Sequence, residues 1–440
     1  MKNLLTLSVR CALALAAAFL ILLQPAFAGD WPEFQGPNRD GVVPNAEILT
    51  DWPDAGPTVV WTQDVAPGFG GAAVVGDTVY LLDRNGIKGD RFRAINLHTG
   101  KKNWAIDYDA PGRLSYDGAR STPTLGDGPA GPRAYTVGPL GHITCFDVVK
   151  GEILWQKHMD DFHAAPPKWG WSQSPLLVGN LIIVQPMTDD AGLVALNQGT
   201  GEVAWQSKSI GREGYASPRQ VRLAGTDMLI TFTSTQVTGL NPKTGDILWA
   251  YDNIPVKRAI PTPAVVGDNK LFITAGYDSG SALIEIQKQG VVFGVKEIKR
   301  DLAHGGQIHS ALPVGEHLYV NLNTNENLRQ RGKDAQGLGC FDTNGELLWI
   351  SNNQPDINRG PILALGQHLL TLGGEDGTLR LIKADAKGYQ ELASFKAFPA
   401  DQKRNMIWAP MAYADGRLLI RSQSQLKCLD FRPKPLSRLP

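Results

Sequence analysis

The chain has 440 residues, with 43 basic and 43 acidic side chains, 48 glycines and 29 prolines. Charge is balanced and no block of one sign stands out, which argues against a nucleic-acid partner. No P-loop, H-E-x-x-H, C-x-x-C, EF-hand loop or G-x-S-x-G elbow occurs, so the common signatures of nucleotide, zinc, calcium and serine-hydrolase chemistry are missing.

Residues 1–28 read as a signal peptide. Lys2 and Arg10 precede an apolar run from Ala12 to Leu23, and Ala26-Phe27-Ala28 fits the small-x-small cleavage rule. The alternative, an uncleaved anchor, is disfavoured by the short run and by Pro25. Cys11 lies inside this segment rather than at a cleavage site, so no lipid anchor is expected. The expectation is a soluble protein, periplasmic or secreted, cut after Ala28. Residues 29–57 then form an N-terminal arm whose Pro/Gly-rich opening, Trp31 to Gly41, has no strand or helix period. It is expected to pack across a face or edge of the domain that follows.

From residue 58 to residue 431 a unit of roughly 40–55 residues repeats, a period of stacked supersecondary units. Its second half is a hairpin, seen at Ala94–Trp104, Cys145–Trp155, Ala195–Trp205, Gly239–Trp249 and Cys340–Trp349. A small residue and an apolar one lead into an Asx turn. A turn glycine follows, and Trp closes the last strand. The first half reads strand, tight turn, strand, as in Ala73–Tyr80, Leu176–Ile183 and Ala264–Ile273. Small-residue–Pro pairs such as Ser174-Pro175, Ser217-Pro218, Thr262-Pro263 and Ala409-Pro410 mark strand starts. Four strands per unit at this period mean propeller blades.

Two units are worn. One, around Leu283 to Val295, has Phe293 near the closing place, and the other runs from Leu379 to Phe395. The last hairpin, ending on Leu426 to Phe431, lacks its final strand, which Thr58-Val59-Val60-Trp61 supplies from the other end of the chain. The fold class is therefore all-β, an eight-bladed β-propeller closed by its N- and C-terminal strands. Seven blades is the alternative, if the unit around Phe293 is an insertion. Residues 432–440 are a tail. Cys145, Cys340 and Cys428 occupy one repeat position, filled elsewhere by Ala or Gly, so they read as small buried residues and not as a disulfide or metal set.

Candidate site residues are those the repeat does not explain. They lie in the segments that enter the blades, which face the central channel. His304 to Ser310 offers His309 as a channel residue, or as a strand-edge histidine bonded to backbone. Lys168 to Gln173 offers Trp171 as part of an aromatic rim, or as loop packing. Trp408 and Arg421 belong to the closing blade, and Gly214-Tyr215-Ala216 and Arg359-Gly360 are further entrance segments. No catalytic residue and no metal ligand can be placed by motif.

The A-x-[ND]-x-x-T-G-x-x-x-W hairpin, clearest at Ala195–Trp205 and Gly239–Trp249, resembles the tryptophan-docking repeat of pyrroloquinoline-quinone-type (PQQ-like) propellers. The opening from Trp31 to Gly41 is similar to secreted bacterial proteins with that repeat. The resemblance covers nearly the whole chain after residue 28. It implies an eight-bladed fold shared by quinone-dependent dehydrogenases and by non-catalytic proteins such as the assembly factor BamB. The adjacent Cys-Cys pair of those dehydrogenases is absent here, and so is the lipidated cysteine of BamB. The leading expectation is a binding or scaffold protein with an envelope protein partner or a small ligand in the channel. The alternative is a PQQ-dependent dehydrogenase with Ca²⁺, its cofactor near Trp171, His309, Trp408 and Arg421, acting on alcohols or sugars.

Overall fold

Alternating burial in the outer strands and continuous burial in the middle ones decide how this chain packs. The second strand of the first blade, Thr78–Asn85, is buried along nearly all of its length, whereas the outermost, Lys102–Asp109, is mostly exposed. A strand covered on both faces must be apolar throughout, and that requires a sheet on each side. The computed structural model describes residues 29–128, 130–254, 256–323, 336–399 and 406–433. The expected leader and most of the tail lie outside these residues.

Eight antiparallel sheets are present among them, each running from an inner strand to an outer one. The first blade has strands Ala73–Val75, Thr78–Asn85, Gly89–Asn96 and Lys102–Asp109 in that spatial order. The inner strands of successive blades touch one another around a central channel. The closing blade takes Ala412–Ala414, Arg417–Arg421 and Gln425–Asp430 from the C-terminal side and Val59–Asp64 from the N-terminal side. Trp61 pairs with Cys428 across that junction. The seven-blade alternative fails, because Gly280–Gln289 and Val292–Asp301 pair as the outer two strands of a full blade.

The outer pair of every blade carries one register shift at the same repeat position. A bulge of this kind adds a residue on one strand and turns its side chain. Here it aims the closing Trp at the next blade. This register also corrects the reading of the two worn units. Lys299 and Ala393, not Phe293 and Phe395, stand in the Trp place, opposite Leu283 and Leu381. Lys299 answers by an ion pair to Glu346 of the following blade. At Ala393 the seam is filled from elsewhere: Trp52 of the arm packs edge-on against Phe395 at 5.9 Å and against Phe431 at 5.6 Å.

At four junctions, those of Trp61, Trp104, Trp155 and Trp205, the indole rests on the turn glycine of the neighbouring blade. A Cβ on Gly100 would lie 2.7 Å from Trp61 Cγ, and one on Gly151 would lie 3.2 Å from Trp104 Cγ. The indole N–H completes the dock. Trp61 Nε1 donates to Leu97 O at 2.7 Å, Trp155 Nε1 to Gln198 O at 3.1 Å and Trp349 Nε1 to Asp385 O at 3.0 Å. The cysteines fill the small position beneath, and all three described ones are free and buried. Burial pushes the Cys145 and Cys340 thiols up to about 11 and that of Cys428 to about 12, so none is a thiolate at neutral pH.

The arm packs at an edge, the one that the inner strands of the blades turn to the channel. Trp31 bridges Val74 of the first blade, and Pro32 O accepts from Leu125 N of the second. Arg39 donates to the Ser174 and Pro175 carbonyls of the third at 3.0 and 2.9 Å, and Asp40 pairs with Arg219 of the fourth at 3.4 Å. Val42–Val43 then adds a parallel strand to Ile362–Leu365 of the seventh. Arg39 is 3% exposed, and Glu33 closes its charge from within the same arm. The arm is thus a plug that ties opposite sides of the ring together.

The docking geometry sets a test. Gly100 has φ 69° and meets Trp61, while Gly267 has φ 59° and meets nothing within 4 Å. Gly267→Ala should cost about 1 kcal/mol from its left-handed backbone alone. Gly100→Ala adds the clash with the indole and should cost about 3 kcal/mol. Denaturant unfolding of both variants measures the difference, and equal losses would contradict the docking role.

Candidate functional site

The entrance segments hold one another before they hold anything else. Gly71 N donates to Thr122 Oγ1 at 3.0 Å, Thr122 N to Ser174 Oγ at 2.9 Å and Ser174 N to Ser217 Oγ at 2.9 Å. Thr262 Oγ1 donates back to Ser217 O at 2.9 Å, and Thr262 N donates to Ser310 Oγ at 3.1 Å. A girdle of hydroxyls therefore stitches the first six blades at the inner rim. These are buried backbone donors that no strand satisfies, so each hydroxyl removes a desolvation cost. The small-residue–Pro pairs read from the sequence as strand starts are the source of three of these hydroxyls, from Ser174, Ser217 and Thr262. That linking role was not legible there.

Above this girdle lies a cavity of about 190 Å³ to which every blade contributes a wall residue. One wall is a column of rings and guanidinium groups. Phe69 and Trp408 stack with centroids 5.3 Å apart, Arg120 lies over Phe69 at 5.6 Å and Arg359 lies over Trp408 at 5.0 Å. The facing wall is aromatic: Trp169 lies 5.1 Å from Tyr215 and 6.2 Å from Tyr277. Phe34 of the arm also lines the cavity. Pairs of this kind at 5–6 Å add about 1 kcal/mol each beyond area burial, which favours fixed walls.

Of the residues singled out in the sequence, His309 and Trp408 line this cavity. Trp171 does not. It is 1% exposed and sits in the apolar core between the second and third blades. Its neighbour Trp169, two residues earlier in the same loop, is the ring that faces inward. Arg421 is also packed behind the wall. Its Nη1 donates to Gly70 O and its Nη2 to Ala66 O, both at 2.9 Å, which fixes the segment carrying Phe69. The four candidates therefore do not converge on one point. Tyr116, Arg120 and Tyr277 were missed, because no repeat position or motif marks them.

The electrostatics are one-sided. Among the described residues, no Asp or Glu lines the walls. Arg120 donates to Gly118 O at 2.5 Å and Tyr116 O at 2.6 Å, and no carboxylate pairs with it among the described residues. Burial lowers its guanidinium to about 10, so it stays charged at neutral pH. Arg359 Nε donates to Gln307 Oε1 at 2.9 Å, and Gln307 Nε2 to Tyr277 OH at 2.9 Å. His309 Nε2 donates to Arg359 O at 3.2 Å, which requires the proton on that nitrogen. Burial holds this imidazole down at about 4, so it is neutral at pH 7.

The cofactor implied by the resemblance, pyrroloquinoline quinone with Ca²⁺, is a test of these walls. Ca²⁺ takes 6–8 oxygen ligands, carboxylates prominent among them. Among the described residues no group of three or more His, Cys, Asp or Glu is placed to hold a metal. The described wall residues also offer no carboxylate to act as a base. They do not fit the metal-assisted redox chemistry, although their rings and arginines suit a flat anion.

Comparisons with known proteins agree with the fold. A family model for "Outer membrane protein assembly factor BamB" matches residues 118–330. The crystal structure of BamB from Moraxella catarrhalis superposes with a TM-score of 0.58 at 16% identity, covering 85% of this chain and 98% of that one. A europium-containing methanol dehydrogenase gives a TM-score of 0.63 at 14% identity, covering 89% of each chain. The quinohemoprotein alcohol dehydrogenase of Comamonas testosteroni gives 0.60 at 12% identity, over 95% of this chain and 83% of that one. Among curated proteins, the quinoprotein alcohol dehydrogenase PedH of Pseudomonas putida is 27% identical over 183 residues, 37% of this chain. The match spans 28% of that relative's length. The likeness to PQQ-like and BamB-like propellers read from the hairpins therefore stands, and with it the eight-bladed fold.

The buried imidazole generates a pH prediction. A histidine whose folded pKa lies near 4, below its usual 6.5, binds fewer protons folded than unfolded. Its contribution is fully present above pH 6.5 and is lost as pH falls toward 4, by about 3 kcal/mol at pH 4. His309→Gln should therefore flatten the pH dependence of unfolding free energy between pH 6.5 and 4. An unchanged slope would show that His309 is not held neutral by the fold.

Proposed function

We propose that this PQQ-like eight-bladed propeller is an exported binding protein and not a dehydrogenase. The observation that carries the reading is the cavity wall: aromatic rings from six blades and two arginines, with no Asp or Glu among the described residues. Redox chemistry of the quinoprotein kind needs a base and an ion that polarises the quinone. Binding needs only shape, apolar area and a few fixed polar groups, which a preformed concave site at a channel mouth provides. The rigid ring, tied by indole docks outside and hydroxyls inside, holds that site at little ordering cost.

The likeness to an outer-membrane assembly factor supports a role in the cell envelope, with the loops around the cavity presented to a partner. Export rests on the segment 1–28, and no helix among the described residues is long and apolar enough to cross a membrane. The quinoprotein relatives support the competing reading, so the test must separate the two. The purified protein is titrated with pyrroloquinoline quinone, with and without Ca²⁺, and assayed with alcohols, sugars and a dye acceptor. The expected result is no dye reduction above the protein-free blank under any condition. Saturable, Ca²⁺-dependent quinone binding with dye reduction would overturn the binding reading.

A further inference from the structure

Arg219 stands where the repeat calls for an apolar side chain. The residue after the small-residue–Pro pair is Leu176 in the third blade, Ala264 in the fifth and Met411 in the closing one, and in the fourth it is Arg219. It opens the inner strand Arg219–Leu223 and is 8% exposed. A charge at a buried strand position costs free energy unless a partner or a ligand meets it. The partner present is Asp40 of the arm, reached by Nη2 alone at 3.4 Å. Arg219 Nη1 makes no hydrogen bond among the described residues and, unlike the enclosed Nε, it keeps accessible surface.

Arg219 lines a second cavity, of about 420 Å³, below the hydroxyl girdle. It lies between the arm and the inner strands of the third, fourth and fifth blades, and it shares no lining residue with the aromatic cavity. The apolar part of its lining is Leu176, Leu177, Val221 and Val265. From the arm, Glu33 accepts from Arg39 through Oε2 and leaves Oε1 open. Arg39 and Arg219 balance Glu33 and Asp40, while the exposed Arg222 is paired with Asp227 at 2.8 Å. Burial raises the Glu33 and Asp40 carboxyls and lowers the Arg219 guanidinium, so each of these charges is short of water. A ligand of net charge would bring an uncompensated charge to walls that sum to zero, which a buried site penalises. A ligand with one charge of each sign would not.

We infer that this second cavity binds a small zwitterionic amino acid with an apolar side chain. Its carboxylate is met by Arg219 Nη1, its ammonium by Glu33 Oε1, and its side chain lies on the leucine and valine surface. Hydrogen bonds with an ionised group on each side are the strong kind, and a guanidinium suits a carboxylate. The ligand bridges the arm to the fourth blade, because Glu33 comes from one and Arg219 from the other. A tether role for Arg219 accounts for the single Asp40 contact and leaves Nη1 and Glu33 Oε1 without a task. This inference goes beyond the binding reading above and does not rest on it, so quinone-dependent dye reduction in the aromatic cavity would leave it standing.

The experiment is isothermal titration of the purified protein with L-leucine and three analogues. The analogues are 4-methylpentanoate, which lacks the ammonium, 3-methylbutylamine, which lacks the carboxylate, and glycine, which lacks the side chain. Leucine should bind one to one, about tenfold more tightly than each of the others. Arg219→Gln and Glu33→Gln should each weaken leucine by about tenfold. Arg91→Gln, in an exposed ion pair outside the cavity, should leave it unchanged. The analogue series uses the unaltered protein, so it decides the matter even where a variant fails to fold. Failure of leucine to bind, equal binding of either single-charge analogue, equal binding of glycine, or unchanged binding by a folded Arg219→Gln would each overturn the inference.

Discussion

The indole seated on a neighbour's turn glycine is the contact from which the rest of this architecture follows. It needs three things at once: a bulge that turns the Trp outward from its own sheet, a residue without a Cβ on the facing turn, and a carbonyl in reach of the indole N–H. The repeat supplies all three, which is why Trp61 finds Gly100 and the Leu97 carbonyl across the closing junction. Because this contact recurs at four consecutive junctions, from Trp61 to Trp205, it sets the angle between those neighbours locally, and eight blades bring the ends of the chain together. Where the indole is gone, other chemistry takes its place, an ion pair at Lys299 and the arm's own Trp52 beside Ala393. Both replacements sit at the outer rim, as the dock does, so the inner rim keeps its geometry.

The candidate site lies where the repeat is broken. The outer hairpins are alike because they all solve one packing problem. The entrance segments are unlike because the hydroxyl girdle beneath them already satisfies the packing, leaving their side chains free to differ. The result is a ring of different residues held at fixed positions, with guanidinium groups over rings on both sides, Arg120 and Arg359 over Phe69 and Trp408 and Arg258 over Trp169. The arm completes it from below, and its buried Arg39 and Glu33 fix the segment from which Phe34 reaches the wall.

Much of the fold was legible in the sequence because it is local and repeated. A turn glycine four residues before a closing Trp carries its meaning within a single hairpin. The blade count, the split closing blade and the inert cysteines all followed from that. What was not legible depends on register or on contacts between distant segments. Phe293 and Phe395 looked like worn tryptophans, but the register puts Lys299 and Ala393 in the Trp place, opposite Leu283 and Leu381. Trp171 and Trp169 have the same composition signal, and only the path of their loop makes one core and the other wall. Arg421 reads as a channel cation and is a clamp on carbonyls 351 and 355 positions away. The arm has no period at all, so nothing in it announced a path through the ring.

The claim at the centre of this account is that the channel mouth is built of arginine and aromatic chemistry, with no carboxylate among its described wall residues. A crystal structure grown with both Ca²⁺ and pyrroloquinoline quinone tests it most directly. The account predicts no cation held by protein oxygens in the cavity. A Ca²⁺ ion held there by protein oxygens, with the quinone bound through it, would contradict the account.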